Sequence, residues 1–196
     1  MIDLFIGLFL ATLIVELFAS RLYQLIFWYS ANSLFLGLLA LWMGRQLNDN
    51  AMLITGILTI LLKAISIPFL LRFLAQKHQF SRQIKSEIKL HYAIILIPVI
   101  LVFTFYLAEP LSHKIGTNAN YVAISISSLF LSLLMMVQHK GIAPKIIGFL
   151  SLENTLFLLG MTATEGMPML VELGIFFDLL MAIVVINLLF HKEDSE

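Results

Sequence analysis

Two carboxylates lie in stretches of the chain that are otherwise apolar. Glu153 is in KIIGFLSLENTLFLLGM and Asp178 is in VELGIFFDLLMAIVVINLLF. Each is about nine residues from the start of an apolar segment of roughly twenty residues, which at ~1.5 Å per residue is near the middle of a bilayer about 30 Å thick. An ionised carboxylate at that depth costs at least about 2.5–3.5 kcal/mol, so such acids usually face a partner helix or a water-filled cavity. The pattern favours ion or proton handling over a protonated carboxyl that only hydrogen-bonds across a helix pair.

A lysine lies at a similar depth in the third predicted helix. Lys63 is too far from either end of its segment for its stem to reach an interface easily, which favours a buried or hydrated functional lysine over a snorkelling one. Small and polar residues share its face at helical spacing: Gly56, Thr59 and Ser66. Pro68 removes the backbone donor that would bond near Ala64, so we expect a kink or a local loosening one turn from the lysine.

A further acid, Glu16, lies in the last turn of the first predicted helix, close to Arg21. We expect this carboxylate to lie near the interface and to pair with Arg21. The alternative is a buried functional acid.

The composition indicates an integral membrane protein. Of 196 residues, 60% are hydrophobic and 12% are charged, whereas soluble domains contain about 25% charged residues. The net charge of zero gives no indication of a nucleic-acid partner. The absence of cysteine excludes disulfides, thiolate catalysis and cysteine-bound clusters, and the histidines lie in loops or at helix ends, away from the depth that a membrane haem needs. We therefore expect no catalytic residue, no cofactor and no metal site.

Hydropathy predicts an all-α fold of about seven transmembrane helices, at about 3–19, 22–44, 51–75, 91–108, 121–137, 144–163 and 169–190. The first has no basic leader and no convincing cleavage site, so we expect it to be retained. Lysine and arginine are concentrated after the first, third and fifth helices, which predicts an N-terminus outside and a cytoplasmic C-terminus. The fifth helix carries Ser125, Ser128 and Ser132 on one face, for which close packing is a better explanation than a hydrated lining.

The chain also contains a weak internal repeat. WYSANSLFLGL in the second helix aligns with FLSLENTLFLL in the sixth, and the matched pairs are Asn32 with Asn154, Ser33 with Thr155 and Phe35 with Phe157. Carried to the third helix of each set, the alignment brings Lys63 opposite Asp178. The organisation is a parallel 3+1+3 repeat: a three-helix unit (1–75), a charged cytoplasmic loop with a spacer helix (76–117) and a second three-helix unit (118–196).

These motifs resemble a known family. GFLSLENTLFLLG followed by VELGIFFDLLMAIVVINLLF is similar to the membrane subunit called hydrogenase-4 component E, and LLKAISIPFLLRF fits the same pattern, so the resemblance covers nearly the whole chain. The last three helices also resemble the small K-type (NuoK-like) subunit of respiratory complex I. The shared motif is a membrane-embedded glutamate followed by asparagine, then a second acid in the next helix.

The resemblance implies a non-catalytic subunit of a complex-I-like membrane arm, as in formate hydrogenlyase-type [NiFe] hydrogenases, in a prokaryotic cytoplasmic (inner) membrane. Its implied partners are antiporter-like membrane subunits and a hydrogenase or quinone-reducing peripheral arm. Glu153 matches the first family glutamate, Asp178 takes the place of the second with a side chain one methylene shorter, and Lys63 matches a lysine of the hydrogenase-type pattern.

The hypothesis from both arguments is a lateral relay for protons or sodium ions. Glu153 and Asp178 form the relay, and Lys63 modulates its charge or extends its path. Possible supporting residues are Asn154, Thr59, Ser66 and Ser128. The competing functions are a structural membrane adaptor with idle, protonated acids, and a small autonomous ion transporter.

Overall fold

The all-α prediction is confirmed for the residues that the structure describes. A computed structural model describes residues 1–77, 83–84, 90–115 and 118–164. Its helices are α1 (Ile2–Leu17), α2 (Leu22–Leu47), α3 in three consecutive segments (Asn50–Thr59, Ile60–Ser66 and Ile67–Lys77), α4 (Leu90–Ile115), α5 (Ala119–Gln138) and α6 (Ile142–Thr164). The predicted seventh helix, with Asp178, lies outside the described residues.

Within the described ranges, five helices are long and apolar enough to cross a membrane. These spans are Leu22–Leu47, Asn50–Gln76, Tyr92–Leu111, Ala119–Gln138 and Ile142–Ala163. The remaining helix, α1, has 16 residues and is therefore about 24 Å long at ~1.5 Å per residue. It packs along α2 and α5.

Short polar side chains start two of the helices. The Asp49 carboxylate accepts hydrogen bonds from the backbone N–H groups of Ala51 (2.9 Å) and Met52 (3.3 Å), which caps α3. Asn48, just before it, ends α2 in the left-handed conformation, with a φ of 52°. Asn118 caps α5 through Asn120. These caps explain why apolar helices are interrupted at these connections.

Helices α1 and α5 run side by side in the same direction. At their starting ends the Tyr121 hydroxyl donates to Asp3 Oδ1 (2.8 Å), and at their far ends Gln138 Nε2 donates to the Leu17 carbonyl (3.2 Å). Each packs against the helix that follows it, α2 or α6, and α2 and α6 contact each other. The centre of the molecule is therefore a four-helix core of α1, α2, α5 and α6.

Helices α3 and α4 flank this core. Glycines bring α3 close to α2: a Cβ on Gly56 would lie 3.0 Å from the backbone nitrogen of Leu41. α4 packs on α5, where the hydroxyls of Thr104 and Ser127 hydrogen-bond. After α3 the chain returns to the turn between α1 and α2, since the Ile84 N–H donates to the Ser20 carbonyl (2.9 Å). Residue Ile84 thus lies at the α1–α2 turn.

Candidate functional site

The helical path changes around Lys63. The residues from Ile60 to Ser66 form a π-helix inside α3, in which hydrogen bonds span five residues. Pro68 has no N–H to donate to the Ala64 carbonyl, four residues earlier, and the hydroxyl of Ser30 in α2 donates to that carbonyl instead. The local loosening predicted from Pro68 is confirmed, and it takes the form of a π-helix held by a side chain of the neighbouring helix.

Lys63 forms an ion pair with Glu153 of α6. The Nζ and Oε1 atoms are 3.2 Å apart, and the side chains are 4% and 6% exposed. Removing two charges from a polar medium is expensive, and a close, opposite partner offsets much of that cost. The prediction that Lys63 is buried is confirmed. Its observed partner is Glu153. The alignment of Lys63 with Asp178 in the internal repeat stays a prediction, because Asp178 lies outside the described residues.

Next to this pair, an asparagine cluster joins the two helix pairs of the core. Asn154 Nδ2 donates to Asn32 Oδ1 (3.2 Å) and to the Ser33 hydroxyl (2.9 Å). Asn32 Nδ2 in turn donates to the Phe9 carbonyl (3.0 Å) and lies 3.3 Å from the Thr12 hydroxyl. Both asparagines and Ser33 are fully buried. We call Thr12, Asn32, Ser33 and Asn154 the polar seam, because they form a continuous hydrogen-bonded line from α1 through α2 to α6.

The serine face of α5 packs against α6, as predicted. Ser125 and Thr162 hydroxyls are 3.0 Å apart, and Ser132 and Thr155 hydroxyls are 3.4 Å apart. Ser128 is buried as well, and its hydroxyl donates to the Ile124 carbonyl of its own helix. These hydroxyls satisfy one another or the backbone, which suits close helix packing.

The remaining predicted site residues are placed differently. Thr59 is buried one turn before Lys63. Ser66 is exposed, and its hydroxyl donates to the Leu61 carbonyl (2.8 Å), because the wider π-helical turn rotates it away from the face that Lys63 occupies. The structure therefore brings together Lys63 and Glu153, with Asn154 next to Glu153 in α6 and Thr59 one turn before Lys63 in α3, while Asp178 lies outside the described residues.

The expectation for Glu16 was wrong. Its side chain is fully buried, and Oε1 accepts a hydrogen bond from the Ser151 hydroxyl of α6 at 2.7 Å, while Arg21 is exposed at the start of α2. A signal for this burial exists in the sequence, because Glu16 shares helical spacing with the buried Phe9 and Leu13. Pairing with Arg21 was inferred from nearness in sequence, which fails here because Arg21 lies at the start of the next helix, α2.

The described residues include no group of three or more histidines and carboxylates able to hold a metal ion. The site therefore contains two titratable groups of opposite charge, Lys63 and Glu153, beside the hydrogen-bonded polar seam. Such a pair can exchange a proton when water or a neighbouring charge changes.

The chain is similar in sequence to a protein of Mycobacterium tuberculosis. The uncharacterized protein Rv0085 of Mycobacterium tuberculosis is 26% identical over 148 residues, which are 74% of this chain and 67% of that protein. No protein-family profile matches the chain, and no solved structure matches it.

Proposed function

We propose that this chain is a membrane-arm subunit of a complex-I-like or hydrogenase-4 (formate hydrogenlyase-type) oxidoreductase complex. In this role it contributes an intramembrane relay for protons or sodium ions, coupled to electron transfer elsewhere in the complex. The observation that carries the proposal is the buried Lys63–Glu153 pair, in which the lysine lies on a π-helical segment. π-helical turns are frequent at functional sites, and intramembrane ionisable residues usually mark ion or proton paths.

In the proposed mechanism the protonation states of Lys63 and Glu153 are coupled. When Glu153 takes up a proton, Lys63 loses its compensating charge and becomes an uncompensated buried cation. The system then lowers its energy by releasing a proton from Lys63 or by placing another carboxylate near it, a part that we assign to Asp178. The pair is restored when Glu153 passes its proton to a neutral Lys63, or when Glu153 releases its proton while Lys63 has stayed charged. Each cycle thus transmits a charge change laterally towards a neighbouring channel subunit.

The proposed topology has seven spans, an outside N-terminus, a cytoplasmic C-terminus and a parallel 3+1+3 repeat. Its support is the matched position of the repeat residues: Asn32 and Asn154, 122 residues apart, hydrogen-bond to each other. The parallel course of α1 and α5 is the arrangement that a repeat related by an axis along the membrane normal requires. The division into units 1–75, 76–117 and 118–196 is part of this proposal.

The proposed setting is a prokaryotic cytoplasmic membrane. There the chain contacts antiporter-like subunits and, within the same complex, a hydrogenase or quinone-reducing peripheral arm. The first test is purification of a tagged copy from its native membrane in mild detergent, followed by mass spectrometry of the attached subunits. Recovery of such partners supports the proposal, and recovery of the chain alone contradicts it and favours an autonomous transporter.

The second test concerns the relay itself. Glu153→Gln keeps the size of the side chain and removes its proton exchange, so redox-driven ion translocation by the assembled complex should be lost while electron transfer continues. Glu109→Gln, the same change at an exposed glutamate of α4, is the matched control and should leave translocation unchanged. Intact translocation in the Glu153 variant would exclude the relay.

The second candidate function is that of a structural adaptor. The same ion pair favours it, because Lys63 and Glu153 also join α3 to α6. Lys63→Met distinguishes the two functions. An assembled complex with reduced coupling supports the relay, whereas loss of the complex from the membrane supports the adaptor.

A further inference from the structure

Glu16 is a buried acid that the proposed relay does not use. Its side chain is fully buried, and the one hydrogen bond observed joins Oε1 to the Ser151 hydroxyl at 2.7 Å. Within the described ranges, Oε2 has no hydrogen-bond partner and no cation forms a salt bridge with the carboxyl. A buried carboxylate with a single hydroxyl donor is costly, because charges inside a protein require pairing and full hydrogen bonding.

Among the residues that the structure describes, the charged and titratable groups on the neighbouring helices do not neutralise Glu16. On α2, Arg21 is exposed at the helix start and Tyr29 is a buried phenol. After α5, the buried His139 ring lies against the backbone of Met135 and Ala19. On α6, Glu153 pairs with Lys63. An uncharged carboxylic acid is the form of Glu16 that these surroundings accommodate, with Oε2 as the oxygen that holds the proton.

The position of Glu16 connects it to the polar seam. Thr12 precedes Glu16 by one turn on α1, and Asn154 follows Ser151 by one turn on α6, so the acid and the seam lie along the same helix interface. At the opposite side of Glu16 the Gln138 amide donates to the Leu17 carbonyl at 3.2 Å, where α1 ends. Glu16 therefore lies between the end of α1 and the hydrogen-bonded line that reaches Asn154, the neighbour of Glu153.

We propose that Glu16 is a second proton-carrying carboxyl of this subunit. It delivers protons to the polar seam from the end of α1. In the transfer step the Oε2–H bond breaks and the proton passes to the oxygen of a water molecule that enters the seam. The remaining carboxylate is held by the Ser151 hydroxyl. A proton that arrives from the Gln138–His139 end then restores the acid. This role in transport rests on the proposed function, whereas the protonation state of Glu16 does not.

The first measurement is infrared difference spectroscopy of the purified complex, or of the chain if it purifies alone. The carbonyl stretch of a protonated carboxylic acid should disappear in Glu16→Gln and persist in the control Glu109→Gln. In Ser151→Ala the band should remain and move to higher frequency, because the carbonyl oxygen loses its hydrogen-bond donor. This variant retains Glu16 and so keeps the test valid if Glu16→Gln does not fold. Loss of carboxylate bands instead of the acid band in Glu16→Gln would overturn the proposal.

The second measurement is redox-driven translocation in reconstituted vesicles. Glu16→Gln should slow it about 100-fold, the low end of what a positioned proton-transfer group contributes, with electron transfer and subunit content unchanged. An unchanged rate in Glu16→Gln, after the acid band of the unmodified protein has been assigned to Glu16, would overturn the transport role of Glu16. If Glu153→Gln also left translocation intact, the failure would belong to the proposed function, because the two variants are measured separately.

Discussion

Lys63 Nζ lies 3.2 Å from Glu153 Oε1, so this salt bridge joins α3 to α6. These helices belong to different predicted units, 1–75 and 118–196. The pair therefore couples the two units through charge, deep in the apolar part of the molecule. This coupling makes the pair suitable for a relay, and it also makes either residue hard to remove alone.

The pair should show strong coupling in a double-mutant cycle. Glu153→Gln leaves a buried cation without its partner, and Lys63→Met leaves a carboxyl that can take up a proton, so both should lower the thermal stability of the purified protein, the first more than the second. The double variant should lose less stability than the two single variants lose together. The difference, the coupling energy, should be about 0.5–3 kcal/mol, the range for residues in contact. Additive effects would mean that the pair does not form.

The π-helix should depend on Pro68 and Ser30. Ser30→Ala removes the donor to the Ala64 carbonyl, and an unsatisfied buried carbonyl costs about 1–3 kcal/mol. In a Pro68→Ala background the chain regains a backbone donor for that carbonyl, so the same serine change should cost clearly less. Thermal unfolding of the four proteins in one detergent gives the comparison, and an equal cost in both backgrounds would argue against this account.

Close packing of α2 on α3 should make Gly56 intolerant of a side chain. A Cβ there would lie 2.9 Å from Leu41 Cγ and 3.0 Å from the Leu41 backbone nitrogen, and the backbone atom cannot move aside easily. Gly56→Ala should therefore lower the midpoint of thermal unfolding.

Gly7→Ala is the matched control for this change. No heavy atom lies within 4 Å of a Cβ at Gly7, on the exposed side of α1. Alanine there gains up to about 1 kcal/mol of helix propensity, so the midpoint should stay or rise. Equal changes in the unfolding midpoint of the Gly56 and Gly7 variants would contradict the close contact of α2 with α3 at Gly56.

Stability should fall in mild acid because of His139, which directly follows α5. Burial lowers the pKa of His139, against the opposing effect of hydrogen bonds to the Met135 and Ala19 carbonyls. The ring is then neutral in the folded protein, while the unfolded chain takes up a proton below about pH 6.5. The stabilising contribution is present above that pH and is lost as the pH falls below it.

The measurement is the unfolding midpoint in detergent at about pH 7.5 and about pH 5.5, on either side of the ordinary histidine value. His139→Gln should remove part of the difference between the two midpoints. An undiminished difference in that variant would assign the acid sensitivity to other groups.

Several features followed from local physics and could be predicted from the sequence. Long apolar runs must form helices in a bilayer, because each segment has to satisfy its own backbone groups. The depth of Lys63 and Glu153 followed from their position in these runs, and the loosening of α3 followed from the N–H that Pro68 lacks. The contact of Asn32 with Asn154 was not predicted, although the repeat had matched the two residues.

Only the tertiary structure decided which polar groups meet. Glu16 was assigned to Arg21 by nearness in sequence, but the packing of α1 against α6 buries it beside Ser151. Ser66 was assigned to the face of Lys63 by an ideal helical period, which the π-helix changes. The sequence by itself determined which residues are polar and how deep they lie. Their partners depend on the rotation and crossing of whole helices, and these are determined by packing between segments far apart in the chain.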